Sequence, residues 1–434
     1  MPWDFETEPE FQAKLDWIDA FVREQVEPLD LAFREPGAPY VRDNPVYQRV
    51  TAPLKAEVRR QGLWACHLGP ELGGLGYGQL KLALINEILG RSNWAPVIFG
   101  CQAPDSGNAE ILAHYGTAEQ KRRYLQPLLD GDIVSCFSMT EPQAGADPRE
   151  FRCRAVRDGD DWVLNGEKYF SSNANLASFL ITMAITDPDV PVHQGASMFL
   201  IPRETPGVNI VRLAGLGGEP LGEGHHAYIR YEHCRLPADS VLGGPGQAFA
   251  IAQTRLGGGR IHHAMRTVAM VKKALRMMCE RALSRRTQGE ALAAKQLVQQ
   301  YIADSFIQLE QFRLLVLYTA WHIDKGHKQE ARTYIAAVKV QMAEVLHDVV
   351  RRAVQVHGAI GCSNELPLIS LWQAVPVMAI ADGPTEVHKL TVAKAVLKQY
   401  QPYEGLWPND FLPDRVAEAK ARFAQYLERE TGNL

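Results

Sequence analysis

The sequence is short of several features, and each absence excludes something. No run of 18 apolar residues occurs in the 434-residue chain, so no membrane-spanning helix is expected. No CxxC pair occurs either. The seven cysteines (Cys66, Cys101, Cys136, Cys153, Cys234, Cys279 and Cys362) are odd in number and scattered, which argues against a disulfide framework and for a reducing, cytoplasmic setting. The opening MPWDFETEPEF has no basic n-region, apolar h-region or Arg-rich transit pattern. Positive charge is not in excess: 46 Lys and Arg stand against 50 Asp and Glu, a net charge of -4, so no polyanionic partner such as nucleic acid is expected. No HExxH occurs, and the adjacent His262 and His263 cannot share a helix face, so no metal site is expected.

What is present divides by hydrophobic period into three zones and a tail. Residues 1–133 read as an N-terminal helical domain. Phe11, Leu15, Ile18 and Val22 recur at steps of four, three and four, a further helix covers 79–91, and the Gly-rich loop 69–76 (GPELGGLG) interrupts the pattern. Residues 134–242 read as a middle β domain, a small antiparallel barrel or sandwich. Strands are expected near 151–157, 179–185, 197–201 and 227–231, with turns at Asp158-Gly159 and Asn165-Gly166. Residues 243–400 return to helix. One stripe holds Ala264, Val268, Val271, Leu275, Met278 and Ala282, a second Val298, Ile302, Leu309, Phe312 and Val316, and a third Ile335, Val338, Met342, Val345 and Val349. With a fourth helix from about Glu386 they suggest an antiparallel four-helix bundle. Residues 401–434 form a C-terminal tail. The fold class is therefore α+β, in the order helices, strands, helices.

Two stretches carry chemistry by residue type. The turn 136–147 (CFSMTEPQAGAD) offers backbone N–H groups and the Thr140 hydroxyl, a set that suits a planar polar ring. The stretch 164–173 (LNGEKYFSSN) puts Phe170 ahead of the hydroxyls of Ser171 and Ser172, so that a ring could stack and a hydroxyl could donate to a ring nitrogen. A plain strand turn and a core Phe are the structural alternatives.

Taken with the helix–strand–helix order, both stretches resemble the flavin-facing segments of the acyl-CoA dehydrogenase family, over about residues 50 to 400. The resemblance implies FAD as cofactor. It places Phe137, Met139 and Thr140 on the pyrimidine side of the flavin, Phe170 and Ser171 beside the ring, and Ser172 near N5. It implies that Arg285 and Thr287 of 283–289 (LSRRTQG) and Gln296 reach the FAD of a neighbouring subunit, where a guanidinium forks onto phosphate. Such a role needs a homodimer or homotetramer. Gln355 and Gly358 of 355–361 (QVHGAIG) match a cofactor-side glycine loop, where a missing side chain lets backbone approach.

The family's catalytic Glu precedes the last helix, and here the matching text 381–388 (ADGPTEVH) puts Asp382 in its place, with Pro384 and Glu386 beside it on the cofactor side or at the helix cap. Asp loses about 1.5 Å of reach. The alternative base slot of some relatives lies just before a helix Arg that matches Arg260, and it is occupied by Gly259. The resemblance implies removal of the α-proton of an acyl-CoA thioester by Asp382, β-hydride transfer to flavin N5, and a 2-enoyl-CoA product. The substrate carbonyl oxygen would take donors from a ribityl hydroxyl and the N–H of the base residue. Where oxidation is net, an electron-transferring flavoprotein is the expected partner.

The stretches 101–108 (CQAPDSGN) and 255–266 (RLGGGRIHHAMR) are similar to the branch of dehydrogenase domains fused to kinase-like domains in animals, and to bacterial levulinate-catabolism dehydrogenases. That branch implies a second outcome, redox-neutral loss of phosphate from a 4-phosphoacyl-CoA. Arg260, His262, His263 and Arg266 are the cations that would serve phosphate or CoA, with Arg260 and His263 expected at substrate. Ala146 replaces the Ser that would bind the pantetheine arm. A nitroalkane oxidase-like enzyme, which also uses an Asp base, and a non-catalytic acyl-CoA-binding protein are the competing readings.

Overall fold

The computed structural model describes residues 5–35, 37–41, 44–72 and 74–426. Gly73 of the Gly-rich loop and residues 427–434 of the tail lie outside them. Residues 1–389 form one compact unit and 390–434 a second. The second carries the end of the helix Thr385–Leu397 and the helix Leu412–Arg422.

In the first unit the N-terminal helices form as their periodicity predicts. Phe11, Leu15 and Ile18 of the helix Pro9–Phe21, and Val22 just after it, all point into the core. The helix Gly78–Leu89 supplies Leu82, Ile85 and Leu89 to the same core, and the helix Asp105–Tyr115 follows.

Eight strands make one sheet: β1 (Ser135–Ser138), β2 (Arg154–Asp158), β3 (Asp161–Ser172), β4 (Phe179–Ile185), β5 (Ala196–Pro202), β6 (Val208–Ala214), β7 (His226–Leu236) and β8 (Val241–Leu242). The order is β6-β7-β3-β2-β4-β5-β8, and β1 joins at β4. The sheet is not purely antiparallel, because β1 runs parallel to β4 and β2 meets β4 in parallel at Arg154↔Ile185. Both faces of β4 are covered. Phe179, Ile181 and Met183 join a core shared with the helix Asp105–Tyr115, whereas Leu180 and Ala184 face the other core with Trp162, Phe199 and Tyr231. This explains why β4 reads as a continuous apolar run rather than an alternating one.

The turn expected at Asn165-Gly166 is not a turn. β3 runs straight through it, and its register on β7 slips by one residue between Leu164 and Gly166. Gly166 has φ +143°, and a Cβ there would lie 2.5 Å from Cys153 Cα. The glycine serves a β-bulge with close backbone approach, which an Asn-Gly pair resembles in sequence. Asp158-Gly159 does turn, between β2 and β3.

The three long helices are Ala248–Ser284, Gln296–Asp324 and Lys328–His357. At 1.5 Å per residue the first spans about 55 Å. The stripes read from sequence face the core. The fourth helix packed on them is Leu368–Ile380, whose apolar residues surround the axis and whose Pro376 reads as a breaker. The helix expected from about Glu386 also forms, as Thr385–Leu397.

Candidate active site

The two stretches singled out on chemical grounds are stitched to each other. Tyr169 N donates to Thr140 O at 2.8 Å, and Lys168 Nζ donates to Met139 O at 2.7 Å. Lys168 also pairs with Glu141 at 2.9 Å, and Glu141 accepts from Arg152 N (2.6 Å) and Cys153 N (3.0 Å). This pair is fully enclosed, with 0% and 2% of the two side chains exposed. Phe137, Met139 and Thr140 are thereby fixed beside Phe170 and Ser172.

Strand geometry separates the two serines. Ser171 is buried, and its hydroxyl lies 2.8 Å from Ser138 Oγ, which in turn contacts Tyr231 OH at 3.1 Å. Its expected place beside a cofactor is therefore corrected: it faces the sheet interior, because alternate side chains of a strand point to opposite faces. Ser172 is on the other face with Phe170, whose ring is 51% exposed at φ +53°.

Strain marks the same segments. Seven non-glycine residues have positive φ among the described residues. Five of them (Ala146, Phe170, Asn173, Gln288 and Asp382) fall in stretches chosen from sequence. Each such residue costs about 1–3 kcal/mol and persists only where its surroundings hold it, as at functional sites.

The opposite wall is the helix Ala248–Ser284. Arg255 Cζ lies 4.0 Å above the Phe137 ring, and Arg255 Nε donates to Asn108 Oδ1 at 2.8 Å. Asn108 Nδ2 donates to Ser135 Oγ, and Asp105 accepts from Ser135 N, so β1 and both helices are tied at one point. One turn further along, Gly257, Gly258 and Gly259 leave the helix surface bare. A Cβ on Gly259 would lie 3.0 Å from Asp382 Oδ2, and one on Gly258 would lie 3.1 Å from Glu110 Oε2. Three consecutive glycines cost the helix about 1 kcal/mol each relative to Ala, and here they clear a groove between two carboxyl groups.

Asp382 occupies that groove on a turn anchored through its own carbonyl. Arg260 Nε donates to Asp382 O at 2.8 Å, and His388 Nε2 lies 3.3 Å from the same oxygen. Lys339 donates to Met378 O, at the end of the helix that leads to the turn. His263 Nε2 stands 3.9 Å from Asp382 Oδ2. Burial keeps the His263 imidazole below its ordinary range although Asp382 opposes this, so the ring is neutral at pH 7. Arg255, Arg260 and Lys339 all feel the Asp382 charge. Burial lowers the Lys339 ammonium to about 8 and raises the Glu110 carboxyl to about 7. The site thus holds one carboxylate among cations, and a second carboxyl poised near neutrality.

The other expected residues are distributed as follows. Pro384 O accepts from Val387 N and His388 N at the start of the helix Thr385–Leu397, and Glu386 is exposed in its first turn, where a helix N-terminus favours negative charge. Ala146 is exposed. Arg285, Thr287 and Gln296 are also exposed, on and after a two-stranded hairpin that rests, with the following turn, on the long helices. Gln355 is exposed at the end of its helix, followed by Gly358 at φ +68° and ψ −145°, a conformation open essentially only to glycine. A Cβ on Gly145, Gly289 or Gly358 would meet nothing within 4 Å. These glycines are not filling tight protein contacts, which fits backbone presented to a bound group. His226 Nε2 and Asn173 Oδ1, beside Ser172, are buried without a protein partner. The segments accordingly fit an extended cofactor with a flat polar ring.

Glu110, Arg255 and Lys339 were not singled out from the sequence. For Lys339 a signal existed: it sits on the apolar stripe between Ile335 and Met342, where a lone lysine is out of place. For Arg255 it was the glycine run one turn away. Glu110 gave none.

Three family models match in succession. The acyl-CoA dehydrogenase N-terminal domain matches residues 8–132, the middle domain 136–227 and the C-terminal domain 246–397. The probable acyl-CoA dehydrogenase FadE2 of Mycobacterium tuberculosis is 41% identical over 91% of this chain and 93% of its own length. Acyl-CoA dehydrogenase family member 11 of Rattus norvegicus is 39% identical over 80% of this chain, which covers 44% of that longer protein. Among solved structures, a putative acyl-CoA dehydrogenase from Mycobacterium abscessus superposes with a TM-score of 0.83 at 36% identity, over 92% of this chain and all of its own.

Proposed function

Because this chain belongs to the acyl-CoA dehydrogenase family, we propose that it oxidises an acyl-CoA thioester at the Cα–Cβ bond with Asp382 as the base and FAD as the cofactor. The observation that carries this reading is the position of the Asp382 carboxylate. It is held at the Gly259 groove on the same helix whose Arg255 stacks on Phe137, and 1.5 Å of rise per residue puts Arg255 and Gly259 about 6 Å apart along the axis. The acidified C–H would lie in the groove between the base and the Phe137–Ser172 wall.

Asp382 takes the α-proton, and its backbone N–H is the chain's own donor to the thioester oxygen as enolate charge develops. The Cβ–H bond breaks with its electron pair leaving as hydride, and a Cα=Cβ bond forms. Bound FAD supplies the hydride acceptor. Phe137, Met139, Thr140, Phe170 and Ser172 would hold its ring, with Gln355 and Gly358 along the remainder. Arg285, Thr287 and Gln296 would serve the FAD of a second copy in a homodimer or homotetramer, and an electron-transferring flavoprotein would receive the electrons.

The test is anaerobic mixing of the yellow protein with saturated acyl-CoAs of several lengths. Bleaching of the flavin with appearance of the 2-enoyl-CoA by mass is the expected result. Absence of bleaching by every thioester would overturn the reading, and oxygen consumption with nitroethane would favour nitroalkane oxidation instead.

The surplus of cations around Asp382 favours a second reading within the same site. Arg255, Arg260 and Lys339 exceed what one carboxylate requires, which suits an acyl chain bearing phosphate at C4. Under this reading a 4-phosphoacyl-CoA releases inorganic phosphate without any external electron acceptor.

A further inference from the structure

Ser172 has a partner on its other side. It pairs with His226 across β3 and β7, and Ser172 Oγ lies 2.9 Å from His226 Nδ1. The other ring nitrogen of His226, Nε2, is buried and meets no protein donor or acceptor. The ring is held in place from behind by His225, with ring centroids 4.6 Å apart, and His225 in turn stacks on Tyr40 at 6.0 Å. His225 O accepts from Asn173 N at 2.6 Å, which pins the left-handed Asn173 that follows Ser172.

We propose that His226 is a positioning residue for the cofactor: it donates from Nδ1 to Ser172 Oγ and so directs the Ser172 hydroxyl proton outward, onto the flavin. This rests on the reading of Ser172 as a flavin contact.

The alternatives differ in where one proton sits. A neutral imidazole carries a proton on one nitrogen only. Were it on Nε2, a buried N–H would go unmade and the Ser172 proton would be drawn to Nδ1, leaving the hydroxyl able only to accept from the cofactor side. With the proton on Nδ1, the hydroxyl oxygen is satisfied from behind and its hydrogen is free to donate forward. The same division of labour is seen where a histidine's second nitrogen sets the orientation of a functional group. Burial brings the His226 ring down to about 4, with the neighbouring His225 adding to the effect, so the imidazole stays neutral through the working pH range and the Ser172 proton is not lost to a charged partner.

Purified holoenzyme variants test this by the absorption bands of the bound flavin and by the rate of anaerobic flavin reduction. Ser172→Ala is expected to shift the bands and to slow reduction about tenfold, the typical loss for one charge-assisted or preorganised donor being at least this large. His226→Leu should retain FAD and reproduce both changes. The double variant should add nothing to either, and His226→Gln, whose amide can donate to the same oxygen, should bring the bands and the rate back to within a few-fold of the parent. If Ser172→Ala moves the bands and His226→Leu does not, the positioning role is wrong while the flavin contact stands. Additive effects in the double variant, or no recovery in a folded, FAD-bearing His226→Gln, contradict the positioning role equally. If Ser172→Ala itself leaves the flavin bands unmoved, the contact between Ser172 and the flavin falls, and the proposal with it.

Discussion

The wall made by 136–141 and 168–172 is held by backbone hydrogen bonds, a serine–tyrosine network and an enclosed Lys168–Glu141 pair. The wall made by 255–263 and 378–388 is held quite differently. Its acidic group touches a bare stretch of helix, its turn is anchored through a carbonyl, and its neighbours are cations that make few bonds to it. The contrast follows from what each must do. A flat ring needs a surface fixed in several directions at once, and redundancy of hydrogen bonds supplies that. A base needs an unpaired lone pair and room beside it. That room comes from omitted side chains, and its charge is balanced from a distance so that no donor occupies the oxygen that must take a proton.

Breaking the first wall should have the largest effect on stability. Lys168→Met leaves Glu141 buried without its cation, and about 3–5 kcal/mol of stability should be lost, with FAD released on purification. Adding Glu141→Leu should recover part of the loss, and chemical denaturation of the four proteins measures it. An additive cycle would show that the pair is not a unit.

The second wall should respond through pH. The Glu110 carboxyl is raised from 4.5 to about 7, so the folded protein holds this proton more tightly than the unfolded chain. Stability is therefore lost as pH rises from about 4.5 to 7, by at most about 3 kcal/mol, and the loss is complete above that window. Glu110→Gln lacks this loss. The gap between its melting temperature and the parent's should open across the same window, be absent at pH 4, and stay constant from 7.5 upward. A gap that is flat from pH 4 to 8 would place Glu110 in water.

The smallest change is the most selective. Gly259→Ala should strengthen the helix by about 0.5–1 kcal/mol. Its Cβ, 3.0 Å from Asp382 Oδ2, must displace the carboxylate, and turnover should fall several-fold with FAD content unchanged. The same substitution at Gly257, where a Cβ meets nothing within 4 Å, should stabilise without loss of turnover. Equal turnover in the two variants would separate Asp382 from the groove.

Much of this was legible in the sequence, for physical reasons that differ by element. The long helices announce themselves because their stripes are one-sided, and the flavin-side stretches because glycine, hydroxyl and aromatic residues crowd together there. The helix Leu368–Ile380 was hidden, since residues apolar on every side have no period. The bulge at Gly166 imitated a hairpin because both need a residue without a Cβ. Ser171 and Ser172 differ only by strand phase, which a one-residue bulge upstream makes unreadable. Glu110 and Arg255 became site residues only when two distant helices met. Asp382 could be located by its resemblance, but not its contact with Gly259, the very slot from which relatives are expected to present their base.

The most direct test is exchange at the substrate Cα. A slowly turned-over acyl-CoA is incubated in D2O under nitrogen with the parent and with FAD-loaded Asp382→Asn, and the thioester is weighed by mass spectrometry. Deuterium should enter Cα with the parent and stay at the enzyme-free background with the variant. Incorporation by the variant at the parent rate would mean that another group removes the proton.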